Sequence, residues 1–352
     1  MAGNTPAVIS GPTSFIPFSR KQVATLNLVP GQVTRAKIDS ILILRDIFLT
    51  LSFQVAFGTT APVAADIQPG DEWGLINSIQ LLLNSGKVRY SITGEQLVLL
   101  NWYLNNYIRN IPPALKTLPA ASTTGTFTST VVLPIKIPSF ARPLDFSLNS
   151  NFLSSIELVV NTGNVGSVFA TAGASIVAGS ATLTVDTHEA MARNTSTTPI
   201  FNYIEIATNQ TILPGSTSKF DLMLPVNRIY PRVYLNTKNP TANAAGNYVD
   251  LVSLTELAIK QGGFEPIDAT PATEYYAYLY DHGINGQVYP FVNTYFNPLA
   301  WIPFDFVRDG YVTEALNVLG QQNSGFKIST NAATQVNAIM LSIQPTTVVA
   351  KA

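Results

Sequence analysis

Apolar and polar residues alternate along much of this chain. Leu49, Leu51, Phe53, Val55 and Phe57 are separated by Thr50, Ser52, Gln54 and Ala56. Period-two alternation marks a half-buried strand, because successive side chains face opposite sides of a sheet. The same pattern predicts strands through Ala24, Leu26 and Leu28, through Ile156, Leu158 and Val160, and through Ala181, Leu183 and Val185. Another runs through Val131, Leu133, Ile135 and Ile137, where Pro134 suits a sheet edge. The apolar run from Trp73 to Leu83 closes on Asn84-Ser85-Gly86. One stretch changes period. Behind the capping box Thr93-Gly94-Glu95-Gln96, residues Leu97, Leu100, Leu104 and Ile108 recur at helical spacing, and Pro112-Pro113 follows, so a helix is expected over 94–108.

The second half repeats this order. Pro30-Gly31 precedes Leu49 and Leu51 by the same spacing at which Pro214-Gly215 precedes Val233 and Leu235. One Pro-Gly turn is ordinary type II chemistry, but a turn and strand recurring in register suggest a duplicated unit. Leu251, Leu254, Leu257 and Ile259 run to Gly262-Gly263, much as the first apolar run reaches Gly86. Thr270-Pro271 then opens a second expected helix, over 271–281, with Gly283 beyond its end. Ile339, Leu341 and Ile343 alternate near the end. The division expected is an arm over 1–20, a first β-sandwich over 21–190, a linker over 191–199, a second sandwich over 200–346 and a tail over 347–352. Strands and helices do not alternate regularly, which argues against a parallel α/β sheet. The fold class expected is all-β, with two tandem antiparallel jelly-roll sandwiches and one short inserted helix in each.

Composition adds one constraint. Charged residues are 12 % of the 352, about half the usual share, while 46 % are hydrophobic. So few charges imply that part of the surface is covered by partners. Twenty basic and 21 acidic residues give a net charge of −1, which argues against a protein that coats nucleic acid. With no cysteine, neither disulfides nor thiolate metal sites can form. No apolar run is long enough for a membrane-spanning helix, and Met1 to Arg20 lacks the pattern of a secretory signal. Those first residues, with Ile9, Phe15, Ile16 and Phe18, read either as a frayed terminus or as an arm ordered against a neighbouring subunit or a membrane face. Asn194-Thr195-Ser196 and Asn209-Gln210-Thr211 fit the glycosylation pattern and are read as chance matches in a chain rich in Asn, Ser and Thr.

Candidate chemistry is sparse. His188 lies near Asp186 and Glu189, and His282 near Asp281; neither set reaches the three or four convergent ligands of a mononuclear metal site. Both histidines are expected in surface or capping roles. Asn84-Ser85-Gly86-Lys87 superficially resembles a phosphate loop, but it lacks the preceding glycine and has Val88 after the lysine, so a hairpin turn is expected. Glu265 with Asp268, or Asp71 with Glu72, would be the carboxylate pairs of a glycosidase, but such acids must face each other across a cleft. No catalytic, cofactor-binding or metal residue is therefore assigned, and no cofactor is expected. Aromatic residues crowd the stretch from Tyr275 to Phe306, including Tyr295 and Trp301. They would line a carbohydrate platform or form sandwich core and subunit interface; the second accounts for more of them.

Two jelly-roll-like units, each with an interrupting helix, resemble the double jelly-roll major capsid proteins. These belong to tailless icosahedral viruses, often with an internal membrane, in a lineage that extends to the adenovirus hexon. The features carrying the resemblance are the two Pro-Gly turns with their strands, the helices at 94–108 and 271–281, Phe127 to Ile137, and the run from Ser155 to Ala190. It covers most of the chain beyond residue 20 and includes no short diagnostic motif. The resemblance implies a structural virion protein, made in the host cytoplasm, whose homotrimers present six similar wedges and tile an icosahedral shell. It further implies lateral contacts between capsomers, a separate vertex (penton) protein, an internal membrane as a candidate partner of the N-terminal arm, no sequence-specific nucleic-acid binding, and the loops 58–70, 111–126 and 237–247 as outward projections. The alternative is a two-domain carbohydrate-binding or adhesin-like sandwich, with a glycosidase third.

Overall fold

The computed structural model describes residues 18–39, 43–63, 66–68, 70–104, 118–135, 147–150, 153–190, 204–213, 220–238, 254–269, 273, 277, 301–307, 311–330 and 334–343. The first half contains β1 (Phe18–Asn27), β2 (Val33–Lys37), β3 (Ile43–Ala56), β4 (Ile76–Leu83), β5 (Lys87–Ile92), α1 (Gly94–Leu104), β6 (Thr124–Pro134), β7 (Leu148–Asn149), β8 (Ile156–Thr162), β9 (Ser175–Ile176) and β10 (Thr182–Ala190). The second contains β11 (Ile204–Leu213), β12 (Phe220–Met223), β13 (Ile229–Lys238), β14 (Leu254–Gln261), β15 (Phe264–Ala269), β16 (Trp301–Asp305), β17 (Leu316–Asn317), β18 (Gly325–Thr330) and β19 (Thr334–Ile343).

Pairing makes the duplication explicit. In the first unit, β1-β10-β3-β6 run side by side and face the run β2-β8-β4-β5; in the second, β11-β19-β13-β16 face β12-β18-β14-β15. The strand order is the same in both, and each pair of four-stranded runs is a jelly roll. Even the two-residue strands recur. Leu148-Asn149 pairs with the start of β3, and Leu316-Asn317 pairs with the start of β13 in the same register.

The alternating residues of β3 behave as their pattern demands. Leu49, Leu51, Phe53, Val55 and, just past the strand, Phe57 are buried in one cluster with Leu183 and Val185 of the adjacent β10 and Leu81, Leu158 and Val160 of the facing run. The Pro30-Gly31 turn is present, with Gly31 at φ 75°, a left-handed value that costs glycine little. Its expected copy at Pro214-Gly215 lies outside the described residues. Pro134 sits on β6, at the edge of its sheet.

The capping box at α1 is fully made. The Thr93 N–H donates to Gln96 Oε1 (2.9 Å), and the Gln96 N–H donates to Thr93 Oγ1 (3.2 Å). The helix packs on β6 and β4 through buried Leu97, Leu100 and Leu104. Gly94 is obligatory here, since a Cβ would lie 2.0 Å from the Trp73 carbonyl oxygen. Of the helix expected over 271–281, only Thr273 and Ala277 are described, and both are helical.

Several expectations shift at their boundaries. Phe18, Ser19 and Arg20, expected in the arm, are the first residues of β1, held by pairing with Ala190, Glu189 and His188. Thr124 to Thr126 belong to β6, and Thr237 and Lys238 to β13, rather than to projecting loops. The linker over 191–199 and the tail over 347–352 lie outside the described residues.

Candidate functional site: an open sheet face and its covered counterpart

The outer face of β1-β10-β3-β6 is built from short hydroxyl side chains. Directly paired residues lie on one side of a sheet, so the register defines rows across all four strands. Thr25, Thr184, Thr50 and Thr130 form one row, and Asn27, Thr182, Ser52 and Thr128 the next. The Thr50 and Thr130 hydroxyls hydrogen-bond at 2.8 Å, and those of Ser52 and Thr128 at 2.9 Å. Threonine suits this setting twice: its branched Cβ favours the strand, and its hydroxyl pairs laterally without a formal charge. The result is a face of short, uncharged, half-exposed side chains.

Charges appear only towards the start of β3. There Arg20, His188, Asp46 and Pro134 form a row, next to one made by Gln22, Asp186, Phe48 and Val132. His188 Nδ1 lies 3.5 Å from Asp46 Oδ2. The Phe18 ring meets the imidazole edge-on at 5.6 Å, and Phe48 lies 6.4 Å from it. His188 is thus neither a surface nor a capping residue: a carboxylate on the adjacent strand pairs with it, and two rings shield it. Its sequence neighbour Glu189 points into the core, where it accepts a hydrogen bond from the Thr187 hydroxyl (3.3 Å).

The matching sheet of the second unit is different. Tyr230 to Leu235 of β13 and Val336 to Ile343 of β19 are buried without alternation. Val233, Leu235, Ala338 and Met340 enter the second unit's own core. The residues between them, Tyr234, Ile339, Leu341 and Ile343, pack into the core cluster of the first unit. Tyr234 follows Pro214 at the spacing by which Thr50 follows Pro30, and Tyr234 pairs with Ile339 as Thr50 pairs with Thr184. Where the first unit presents threonine, the second buries tyrosine and isoleucine. Among these covered residues, Arg232 Nη2 reaches Asp305 Oδ2 at 2.7 Å, with both side chains almost fully enclosed.

The two units join through backbone as well as packing. β5 of the first pairs in parallel with β11 of the second at Tyr90 and Ile206, so one continuous sheet crosses the junction. Two buried side chains anchor this strand. The Tyr90 hydroxyl donates to the Pro134 carbonyl, Arg89 Nη2 donates to the Ile135 carbonyl (3.2 Å), and the guanidinium lies 5.3 Å from the Tyr90 ring centroid. Burial pushes the Tyr90 phenol above its ordinary value of about 10, against the lowering effect of Arg89. Above pH ~10 the unfolded chain releases this proton before the folded one does, so the tyrosine's contribution is complete below ~10 and fades as pH rises. Tyr90→Phe is expected to cost roughly 1–2 kcal/mol at pH 7, by leaving the Pro134 carbonyl without that donor. In urea titrations, the gap between the two proteins should narrow above pH ~10; a constant gap would count against the buried phenol.

The remaining candidates do not converge. Among the described residues, no group of three or more His, Asp and Glu could hold a metal ion. Asp71 and Glu72 are buried together in the 3-10 turn Asp71–Leu75, whereas Glu265 stands on β15 near Lys327 Nζ (3.6 Å). Asp268 shares β15 with Glu265. Asn84-Ser85-Gly86 is the hairpin turn between β4 and β5. Within the aromatic stretch, Phe304 is core, its ring 5.0 Å from that of Phe326. His282, Asp281, Tyr295 and Asn194 lie outside the described residues; Asn209 is within β11, paired with Ala338.

No protein-family model and no curated protein matches the chain. Its fold does match solved structures. The STIV MCP aligns with a TM-score of 0.69 at 16 % identity, over 93 % of this chain and 97 % of that one. A chain from the atomic structure of Sulfolobus Turreted Icosahedral Virus gives the same score and identity over 93 % and 91 %. The major capsid protein P2 from bacteriophage PM2 gives 0.60 at 13 % over 94 % and 99 %, and the Faustovirus major capsid protein 0.58 at 9 % over 96 % and 92 %. The alignments run the length of both units, and the chain has the double jelly-roll fold.

Proposed function

We propose that this chain is the major capsid protein of an icosahedral virus, a structural component of the virion that assembles with itself and performs no catalysis. Its two jelly rolls, taken as 18–190 and 200–346, are two wedges of one ring. The observation that carries this reading is the mismatch between equivalent sheet faces. The second unit's face is covered by the first unit of the same chain, while the first unit's face is open and built of short, uncharged side chains. A second unit from a neighbouring copy is the natural cover for it.

Such a contact is head-to-tail. Heterologous contacts either close into rings or run on as filaments. With two similar wedges per chain, closure at three chains gives six wedges. A six-wedged ring cannot occupy a five-fold vertex, so the reading includes a separate vertex protein. The low charge fits as well, because neutral lateral faces approach without repulsion.

The test is the mass of the purified protein at micromolar concentration. Three times the chain mass of 38.0 kDa is expected. A well-dispersed monomer under these conditions would remove the proposal.

A further inference from the structure

The joint between the two units has a counterpart at the chain's outer edges. β5 lies along β11 in parallel at Tyr90 and Ile206, whereas β1 stands beside β2, at the opposite end of the facing run from β5. Among the described strands, β1 borders only β10 in its sheet, and β15 borders only β14. These two free edges are equivalent to the joined ones: β15 holds in the second unit the place of β5 in the first, and β1 the place of β11. The register fixes the matching residues. Tyr90 pairs with Leu81, two residues before the closing pair Leu83–Lys87 of its hairpin, and Ile267 pairs with Ile259, two before Gln261–Phe264. Both ladders slip between those pairs. Gln22 pairs with Asp186 as Ile206 pairs with Leu341, and Asp186 and Leu341 each lie two residues past the equivalent Thr184 and Ile339. Ile267 therefore corresponds to Tyr90, and Gln22 to Ile206.

Charge decides which free edges can meet. At the joint inside the chain, β5 carries Lys87 and Arg89 with no acid, and β11 carries Glu205 with no base; Arg89 and Glu205 immediately precede the bridging pair. On the free edges the signs are exchanged. β1 carries Arg20 and Lys21, both exposed, and neither forms an ion pair among the described residues. β15 carries Glu265 and Asp268, and Glu265 shares Lys327 Nζ (3.6 Å) with Glu256 (3.0 Å). A parallel pair with Ile267 at Gln22 brings Glu265 level with Arg20. Two copies could also meet isologously, β1 to β1 or β15 to β15, but those unions set four cations or four carboxylates side by side. Charged side chains on an open edge also discourage pairing with uncharged strands.

We infer that β15 of one copy lies in parallel along β1 of a neighbouring copy, with Ile267 at Gln22, repeating between chains the joint that β5 and β11 make within one. Backbone hydrogen bonds hold such an added strand, and the opposite charges of the two edges select it. The contact is thereby head-to-tail, with first and second units alternating around the assembly. This rests on the assembly reading for the presence of a neighbour.

The cysteine-free sequence allows a direct test in the full chain. Gln22→Cys combined with Pro266→Cys sets one thiol on each edge and leaves all four charges in place. Oxidation should give inter-chain disulfides, at least tenfold more than either single variant, whose disulfides require β1 to meet β1 or β15 to meet β15. Charge reversal supplies the second measurement. Arg20→Glu with Lys21→Glu should give a monomer with an unchanged far-ultraviolet spectrum, and so should Glu265→Lys with Asp268→Lys. Combining all four should restore trimers, which damage to folding alone would not do. Equal cross-linking by the single variants, intra-chain disulfides only, trimers that survive either reversal, or a folded fourfold variant that stays monomeric would overturn the inference. Mass measured on the cysteine pair separates the two proposals: trimers without the specific disulfide reject the edge pairing, and monomers reject the assembly.

Discussion

Replacing Asp305 by alanine is expected to cost the fold about 3–5 kcal/mol. Asp305 meets Arg232 at 2.7 Å, the two being direct neighbours across β16 and β13, with side chains 3 % and 2 % exposed. Asp305 Oδ1 also accepts a hydrogen bond from the Val307 N–H (3.0 Å). Without the carboxylate, the guanidinium keeps its charge in an enclosed site beneath the first unit. The pair itself adds little net stability, because desolvation offsets much of its attraction. Arg232→Met combined with Asp305→Leu is therefore expected to stay within ~1.5 kcal/mol of the original protein. Equilibrium unfolding in urea distinguishes these outcomes. Equal losses in the single and double variants would show that packing, not the stranded charge, sets the cost.

The second large effect is on assembly. Thr184 sits in the middle of the open face, flanked in register by Thr25 and Thr50. Thr184→Lys puts an ammonium group into the hydroxyl face, where the nearest charge is Asp186, two residues along the same strand. On the isolated chain the side chain reaches solvent, and the fold tolerates it. Beneath a neighbouring unit the ammonium loses its water, and even with Asp186 nearby the desolvation costs several kcal/mol for each contact, which a ring of three makes three times. The expected result is a folded monomer of 38.0 kDa with an unchanged far-ultraviolet spectrum. Thr184→Val, which preserves the side chain's shape, should still give trimers. A trimeric Thr184→Lys protein would show that another face holds the copies together.

Much of the architecture was legible because alternation reports which side of a strand meets the core. β3, β8 and β10 lie where their apolar residues place them, and the capping box at Thr93 announced α1. The contrast between the two equivalent sheet faces was also written in the sequence, though less plainly. Thr182-Leu183-Thr184-Val185-Asp186 alternates, whereas the alternation expected at Ile339, Leu341 and Ile343 is filled in by Ala338 and Met340, and an unbroken apolar run is the mark of a strand buried on both sides. The repeated Leu-Asn of β7 and β17 could have been noticed, but two residues carry no period. Other features had no local signal. Asp46 reaches His188 only because β3 and β10 pair, and the union of β5 with β11 depends on strand edges that meet after both units fold.

That union has a consequence during synthesis. β5 leaves the ribosome more than a hundred residues ahead of β11, so the first jelly roll can form while one of its sheets still ends in an unpaired strand. A bare edge accepts any strand of suitable length. In a cell crowded with nascent copies, the neighbour's β11 competes with the chain's own, and a swap would link two polypeptides through backbone bonds. Translation rate across residues 93–203 thus becomes a determinant of how many copies emerge singly, which places part of the protein's quality control before any two finished chains meet.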